Sequence, residues 1–110
     1  MDVDARLWRS FAALADELHY GRAADRLHIS QPALSRQISD LERTLGVRLF
    51  DRTSRRVVLS QAGRAVLGQA RRALTESDRA VSLAREAEGL AGLISRFRLT
   101  ADEAQIARAA

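Results

Sequence analysis

The chain has 110 residues, enough for about one domain, with 46% apolar side chains and a net charge of +4 carried by 18 Arg and no Lys. Cys is absent and His19 and His28 are the only histidines, which excludes a disulfide framework, a cysteine nucleophile and a zinc site with its usual ligand number. No apolar run approaches the roughly 20 residues of a membrane helix, and the start MDVDARLWRS is charged rather than signal-like, so the expectation is a soluble, cytoplasmic protein with no membrane partner, metal or cofactor.

Leu7, Phe11, Leu14 and Leu18 fall at spacings of 4, 3 and 4, which predicts an amphipathic helix from Asp4 to Leu18. Gly21 permits a break. After it, Ala23, Ala24 and Leu27 mark a short second helix whose two alanines let another helix cross closely. His19 and Tyr20 read as core or helix-junction groups, and His28 as an exposed turn residue. Ser30 can cap a third helix in which Pro32 occupies the first turn, where a missing N–H costs no hydrogen bond. Leu34, Ile38, Leu41 and Leu45 repeat on one face of that helix, which leaves Gln31, Ser35, Arg36, Ser39 and Arg43 on the others, and Gly46 is a plausible stop.

Two short apolar pieces, Val47–Phe50 and Val57–Leu59, flank the polar run Asp51-Arg52-Thr53-Ser54-Arg55-Arg56, a spacing that suits a two-stranded ribbon with an Arg-rich tip. Ser60 and Gly63 then open a long helix. Along it Val66, Ala70, Ala73, Ser77, Ala80, Ala84, Ala87, Ala91 and Ile94 alternate at steps of 4 and 3, with Leu67, Leu74 and Val81 as a second stripe. No other element is left to cover so broad an apolar face, so a partner helix is expected. Gly89 and Gly92 weaken the helix near its end, and residues 93–110 read as a tail, either the start of a missing effector domain or disordered, in which RFRLTADEAQIARAA is frayed or forms a further short helix.

The Arg excess lies in residues 1–72, and its placement matters more than its size. Two helices joined by a short turn, the second opening on Gln, Ser and Arg, form the arrangement that sets a helix N-terminus in the DNA major groove. Gln31 can pair with adenine, Arg36 with guanine, Ser35 with a phosphate or base edge, and Pro32 can touch a thymine methyl. Arg55 or Arg56 at the ribbon tip can enter a flanking minor groove. Arg22 is a candidate phosphate contact. Arg52 is either another or a brace paired with Asp51 or Glu42. No catalytic residue is expected, because Ser30, Ser35, His19 and His28 show no spacing that orients a nucleophile, base and acid.

These residues make residues 4–68 resemble the DNA-binding domain of LysR-type transcriptional regulators. The informative pieces are Ala23-Ala24 with Leu27, the run Ser30-Gln31-Pro32-Ala33-Leu34-Ser35, Leu41-Glu42, Leu49-Phe50 with Arg52, Leu59-Ser60, and Ala62-Gly63. The resemblance implies a mainly α fold. A winged helix-turn-helix of three helices and a two-stranded wing (1–59) would be followed by a long dimerisation helix (60–92) that pairs antiparallel. It also implies base or phosphate contacts from Gln31, Pro32, Ser35 and Arg36 and a minor-groove contact from Arg55. The chain departs from the family at Leu18-His19-Tyr20-Gly21, where a run such as Gly-Ser-Phe-Thr is frequent, so a hydroxyl contact to phosphate is lost and backbone N–H groups are left to serve there. Family members usually continue into an effector domain of some 200 residues, so no small-molecule effector is expected for this chain.

The resulting expectation is a sequence-specific transcription regulator that binds a roughly palindromic DNA site as a homodimer through Val66, Leu67, Ala70, Ala73, Leu74, Ser77, Ala80, Val81, Ala84 and Ala87. Two alternatives stay open: a dimerisation-only module that titrates a full-length relative, and a molybdate-regulator-like or architectural winged-helix DNA binder.

Overall fold

The computed structural model describes residues 2–52 and 55–109. Thr53 and Ser54, expected at the wing tip, lie outside the described residues. Four helices and two strands follow one another as α1 (Ala5–Glu17), α2 (Tyr20–Leu27), α3 (Gln31–Leu45), β1 (Phe50–Asp51), β2 (Val58–Leu59) and α4 (Gln61–Ala109). The expected fold class, a mainly helical winged helix-turn-helix followed by a long helix, is the one observed. The chain divides into two compact units, Met1–Thr75 and Glu76–Ala110.

Each helix of the first unit starts on a side-chain acceptor that satisfies an otherwise orphaned N–H. Asp4 Oδ1 accepts from Arg6 N at 2.9 Å, and Ser30 Oγ from Ala33 N at 3.2 Å. Ser60 Oγ accepts from Gly63 N at 3.0 Å. The helix ends are left-handed. Leu18 (φ 49°), His28 (φ 58°) and Gly46 (φ 74°) close α1, α2 and α3, a conformation that only Gly adopts without steric cost.

The break between α1 and α2 falls at Leu18 and His19 rather than at Gly21, which lies inside the first turn of α2. The reason is local. Leu18 turns left-handed with its N–H on Leu14 O at 2.7 Å, and His19 then acts as the cap that starts the next helix.

The core gathers the predicted apolar faces. Phe11, Leu14, Leu34, Ile38, Leu41, Leu49 and Phe50 are fully buried, with Ala23 and Ala24 at the helix crossing. The Phe11 ring meets Phe50 edge-on at 5.6 Å between centroids and Trp8 at 6.1 Å, geometries that favour aromatic pairs beyond their burial.

The wing is a minimal antiparallel pair, Phe50 opposite Leu59 and Asp51 opposite Val58. Ribbons this short depend on the helices for stability. Here the support comes from Glu42, whose Oε2 accepts from Leu49 N (2.8 Å) and Phe50 N (3.3 Å). On the other side Ser60 donates its N–H to Leu49 O at 2.9 Å and its hydroxyl to Arg48 O at 2.6 Å.

The first turns of α4 belong to this unit. Ala70 is buried and Val66 and Leu67 pack against the same core. The expectation that no other element covers the start of the α4 stripe is therefore corrected: Val66, Leu67 and Ala70 are already packed against the core of the first unit. An ion pair between Arg71 and Asp16 fastens α4 to α1.

In the second unit α4 runs through Gly89 and Gly92 to Ala109, where a tail had been expected from residue 93. Two isolated glycines, each costing about 1 kcal/mol relative to Ala, are outweighed by the strong helix formers around them. Val81, Leu83, Leu90, Leu93, Ile94 and Phe97 are exposed along it. Among the described residues, no helix is long and apolar enough to cross a membrane.

Candidate nucleic-acid interface

The N-terminus of α3 carries the residues expected to read DNA. Ser30 caps the helix from outside its first turn, and Pro32 fits that turn because its position needs no N–H donor. Gln31, Pro32 and Arg36 are exposed, and Ser35 is half-buried. The apolar face of Leu34, Ile38 and Leu41 is held in the core. The polar positions of the first turns are thereby held outward by a rigid element. No hydrogen bond or ion pair engages the side chains of Gln31, Ser35 or Arg36 among the described residues, so their side-chain donors and acceptors are free to meet a ligand.

Gln31 also faces a cleft of about 460 Å³ whose other walls include His19, Gly21, Arg55, Arg56 and Val57. The start of α3, the α1–α2 turn and the base of the wing thus line one concave surface. Arg55 is exposed there and unengaged among the described residues. Arg56 is exposed but has an interaction of its own.

Two candidate phosphate contacts, both partly exposed, also make ion pairs within the fold. Arg52 donates to Glu42 Oε1 at 3.2 Å, and the carboxylate it meets is the one that holds the Leu49 and Phe50 amides. Bracing the wing is the role the geometry gives it. Arg22 folds back onto the end of α1, with its guanidinium on Glu17 O (3.3 Å) and Glu17 Oε2 (3.5 Å). At the start of α2 one of the backbone donors outside the helical ladder, that of Arg22, is capped, while those of Tyr20 and Gly21 meet no acceptor among the described residues. His19 Nδ1 accepts the Arg22 N–H at 3.0 Å, and His19 O accepts that of Ala23 at 3.0 Å.

Beside Arg52 lies Tyr20, whose hydroxyl is buried with no hydrogen-bond partner among the described residues. Burial pushes this phenol above its usual range, and the positive charge of the Arg52 guanidinium acts on it in the opposite sense. Arg48 was not singled out from the sequence. It is exposed where the chain leaves α3 and shares an open basic hollow of about 390 Å³ with Ser39, Arg43 and Arg52. Only its place in the four-residue connection between α3 and β1 distinguishes it, a signal too weak to find from composition.

Among the described residues no group of His, Cys, Asp or Glu is arranged to hold a metal ion.

The family description "Bacterial regulatory helix-turn-helix protein, lysR family" matches residues 5–64, more than half of the chain. The chain belongs to the lysR family of bacterial regulatory helix-turn-helix proteins. Among its lysR-family relatives is an uncharacterized HTH-type transcriptional regulator of Escherichia coli strain K12, YnfL, 49% identical over 84 residues; the match takes in 76% of this chain and 28% of YnfL. The lysR-type fold is also that of solved structures. The BenM DBD in complex with benA site 1 DNA matches with a TM-score of 0.73 and 38% identity, over 76% of this chain and 94% of that one. The CbnR DBD–DNA complex matches with a TM-score of 0.72 and 40% identity, over 77% of this chain and 98% of that one. The chain spans about a quarter to a third of the length of the curated lysR-type relatives it matches.

Proposed function

We propose that the chain is the sequence-reading part of a transcription regulator, binding double-stranded DNA as a homodimer at a roughly palindromic site. The observation that carries this reading is the start of α3, where Gln31, Pro32, Ser35 and Arg36 stand on a helix anchored by its opposite face and their side chains have no engagement among the described residues. Side chains of these types at a helix N-terminus match the donor and acceptor pattern of the major groove. The matched BenM and CbnR domains support it, since both were solved with DNA.

In this reading Gln31 and Arg36 contact base edges, and Pro32 lies against a thymine methyl. Ser35 bonds a phosphate or base. Arg55 enters the flanking minor groove, where a narrow groove concentrates negative potential. Arg56 sits beside it on the wing, while Arg22 and Arg52 act through the fold that presents the others. Ala73, Leu74, Ser77, Ala80, Val81, Ala84 and Ala87 form the pairing face of α4. The molecule is a cytoplasmic binding protein rather than an enzyme, works without a cofactor, and its reading unit needs no small-molecule effector.

Selection of binding sites from random duplex DNA, followed by footprinting, tests this in one experiment. The expected result is an enriched pair of inverted half-sites protected together. Enrichment of no sequence would overturn the sequence-specific reading.

A further inference from the structure

The imidazole of His19 does more than start a helix. Its Nδ1 accepts the Arg22 N–H at 3.0 Å, so that nitrogen carries no proton and the ring's N–H is at Nε2. The ring rests against Gly21. A Cβ at Gly21 would stand 2.9 Å from His19 Cε1 and 3.3 Å from Nδ1, so the glycine is what lets the imidazole occupy this orientation. The same Cβ position is 3.9 Å from Gln31 Oε1. The capping imidazole and the first residue of the reading helix therefore flank one glycine. His19 is exposed, and it lines the cleft that Gln31, Arg55 and Arg56 also line. Among the described residues nothing accepts from Nε2.

We infer that His19 is a DNA-backbone contact, its Nε2–H donating to a phosphate oxygen of the duplex whose bases Gln31 reads. The inference rests on the DNA-binding reading above. A helix seated in the major groove has sugar-phosphate backbone along both its flanks, and the α1–α2 turn stands at one flank of the start of α3. Arginine side chains on the same cleft make it attractive to an anion. The cap fixes the tautomer, so the free nitrogen is a donor, the polarity that a phosphate oxygen requires. Capping and contact thus belong to different nitrogens of one ring, and substitutions can separate them.

The amide of Asn reaches about as far as Nδ1 and that of Gln about as far as Nε2, so His19→Asn keeps the cap without the outer donor and His19→Gln the reverse. Binding to a duplex selected from random sequence, followed by fluorescence anisotropy over a salt series, is to be read alongside thermal unfolding. For His19→Asn the melting temperature is expected to stay within about 2 °C of the parent. Its affinity should fall about tenfold, the loss expected for a hydrogen bond to a charged acceptor. The slope of log K against log salt and the preferred sequence should not change, because a neutral donor releases no counterion and a phosphate carries no base identity. His19→Gln should melt lower yet bind, well below its melting temperature, within about threefold of the parent.

His19→Asn binding as tightly as the parent would overturn the contact and leave His19 a cap alone. A changed sequence preference would overturn the assignment to phosphate. If His19→Asn also unfolds early, His19→Gln decides: near-parental affinity supports the contact, and a loss as large as that of His19→Asn removes it. A parent chain that binds no duplex at all would remove the DNA reading itself, a result distinct from parental binding with an indifferent His19.

Discussion

The carboxylate of Glu42 on α3 accepts the backbone N–H of Leu49 at 2.8 Å, tying the reading helix to the wing. The same group accepts from Phe50 N and pairs with Arg52, so one side chain sets where the wing begins relative to α3. Its removal strands two amides at the edge of the core, beside the fully buried Leu49 and Phe50. Glu42→Ala is therefore expected to cost about 2–3 kcal/mol, the range for losing charge-assisted hydrogen bonds and leaving donors unsatisfied. Chemical denaturation measures this, and Arg52→Ala should cost clearly less because the amides keep their acceptor. Equal losses for the two variants would contradict the division of roles.

Gly63 makes the tightest approach of α4 to the wing. A Cβ there would lie 2.2 Å from Leu49 O and 2.8 Å from Leu59 Cδ2. The carbonyl cannot swing aside, since it already accepts the Ser60 N–H. Gly63→Ala must displace backbone, so a loss of about 3 kcal/mol is expected, at the upper end of the range for overpacking. Gly68, with open space around its Cβ position, is the control: Gly68→Ala should be neutral or stabilise the helix by up to about 1 kcal/mol. A melting temperature for Gly63→Ala equal to that of the parent would show that the contact relaxes without cost.

What could be read from the sequence, and what could not, follows from the range of the interactions. Leu34, Ile38, Leu41 and Leu45 announce α3 because helical periodicity is local, and Ser30 and Gly46 mark its ends by chemistry confined to one turn. Glu42 gives no such signal. Its partners Leu49 and Phe50 lie beyond the helix, and an acid on a polar face looks solvated until the wing folds back to it. Gly21 looked like a break because glycine often is one, yet the left-handed turn fell on Leu18, a residue that disfavours it. The α4 stripe was legible as a stripe but not as two surfaces, because small residues at helical spacing do not say which partner covers them. The core of the first unit, against which Val66, Leu67 and the buried Ala70 pack, supplies that answer for the first turns.

Leu18 occupies a left-handed position at φ 49° with its side chain partly exposed. A β-carbon in that region costs about 1–2 kcal/mol, part of which is offset because glycine gives the unfolded chain more freedom. Leu18→Gly is expected to stabilise the fold by up to about 1 kcal/mol. Denaturant midpoints of the two proteins test the sign. A loss of stability would mean that the Leu18 side chain contributes more by packing than its backbone strain costs.

For the proposed reading residues, Gln31→Ala and Arg36→Ala should each weaken binding to the selected duplex by about 1–3 kcal/mol and relax one base position, the signature of base-edge contacts. Both are exposed and lie outside the core, so thermal stability should be unaffected. The measurement is a repeat of the site selection with each variant, together with its melting curve. Unchanged affinity and unchanged preference in both would remove α3 as the reading helix.

Pairing through α4 makes the most demanding prediction. Ala73, Ser77, Ala80, Ala84 and Ala87 are exposed, as are Val81 and Leu83 beside them, and in the proposed reading this largely apolar strip is the interaction surface. Small side chains allow two helix backbones to approach closely, and the larger Val81 adds apolar area at the edge of the contact. A two-fold axis makes each residue near it face its own counterpart region, so a single change is felt twice. Ala80→Glu brings two carboxylates into the contact and removes the close approach. The parent chain is expected to sediment as a dimer at tens of micromolar and Ala80→Glu as a monomer. Both should be folded, since Ala80 is exposed in its own chain. The variant should also lose tight binding to a two-half-site duplex while keeping weak binding to a single half-site. A parent that sediments as a monomer, or an Ala80→Glu chain that remains dimeric, would refute this face as the dimer contact.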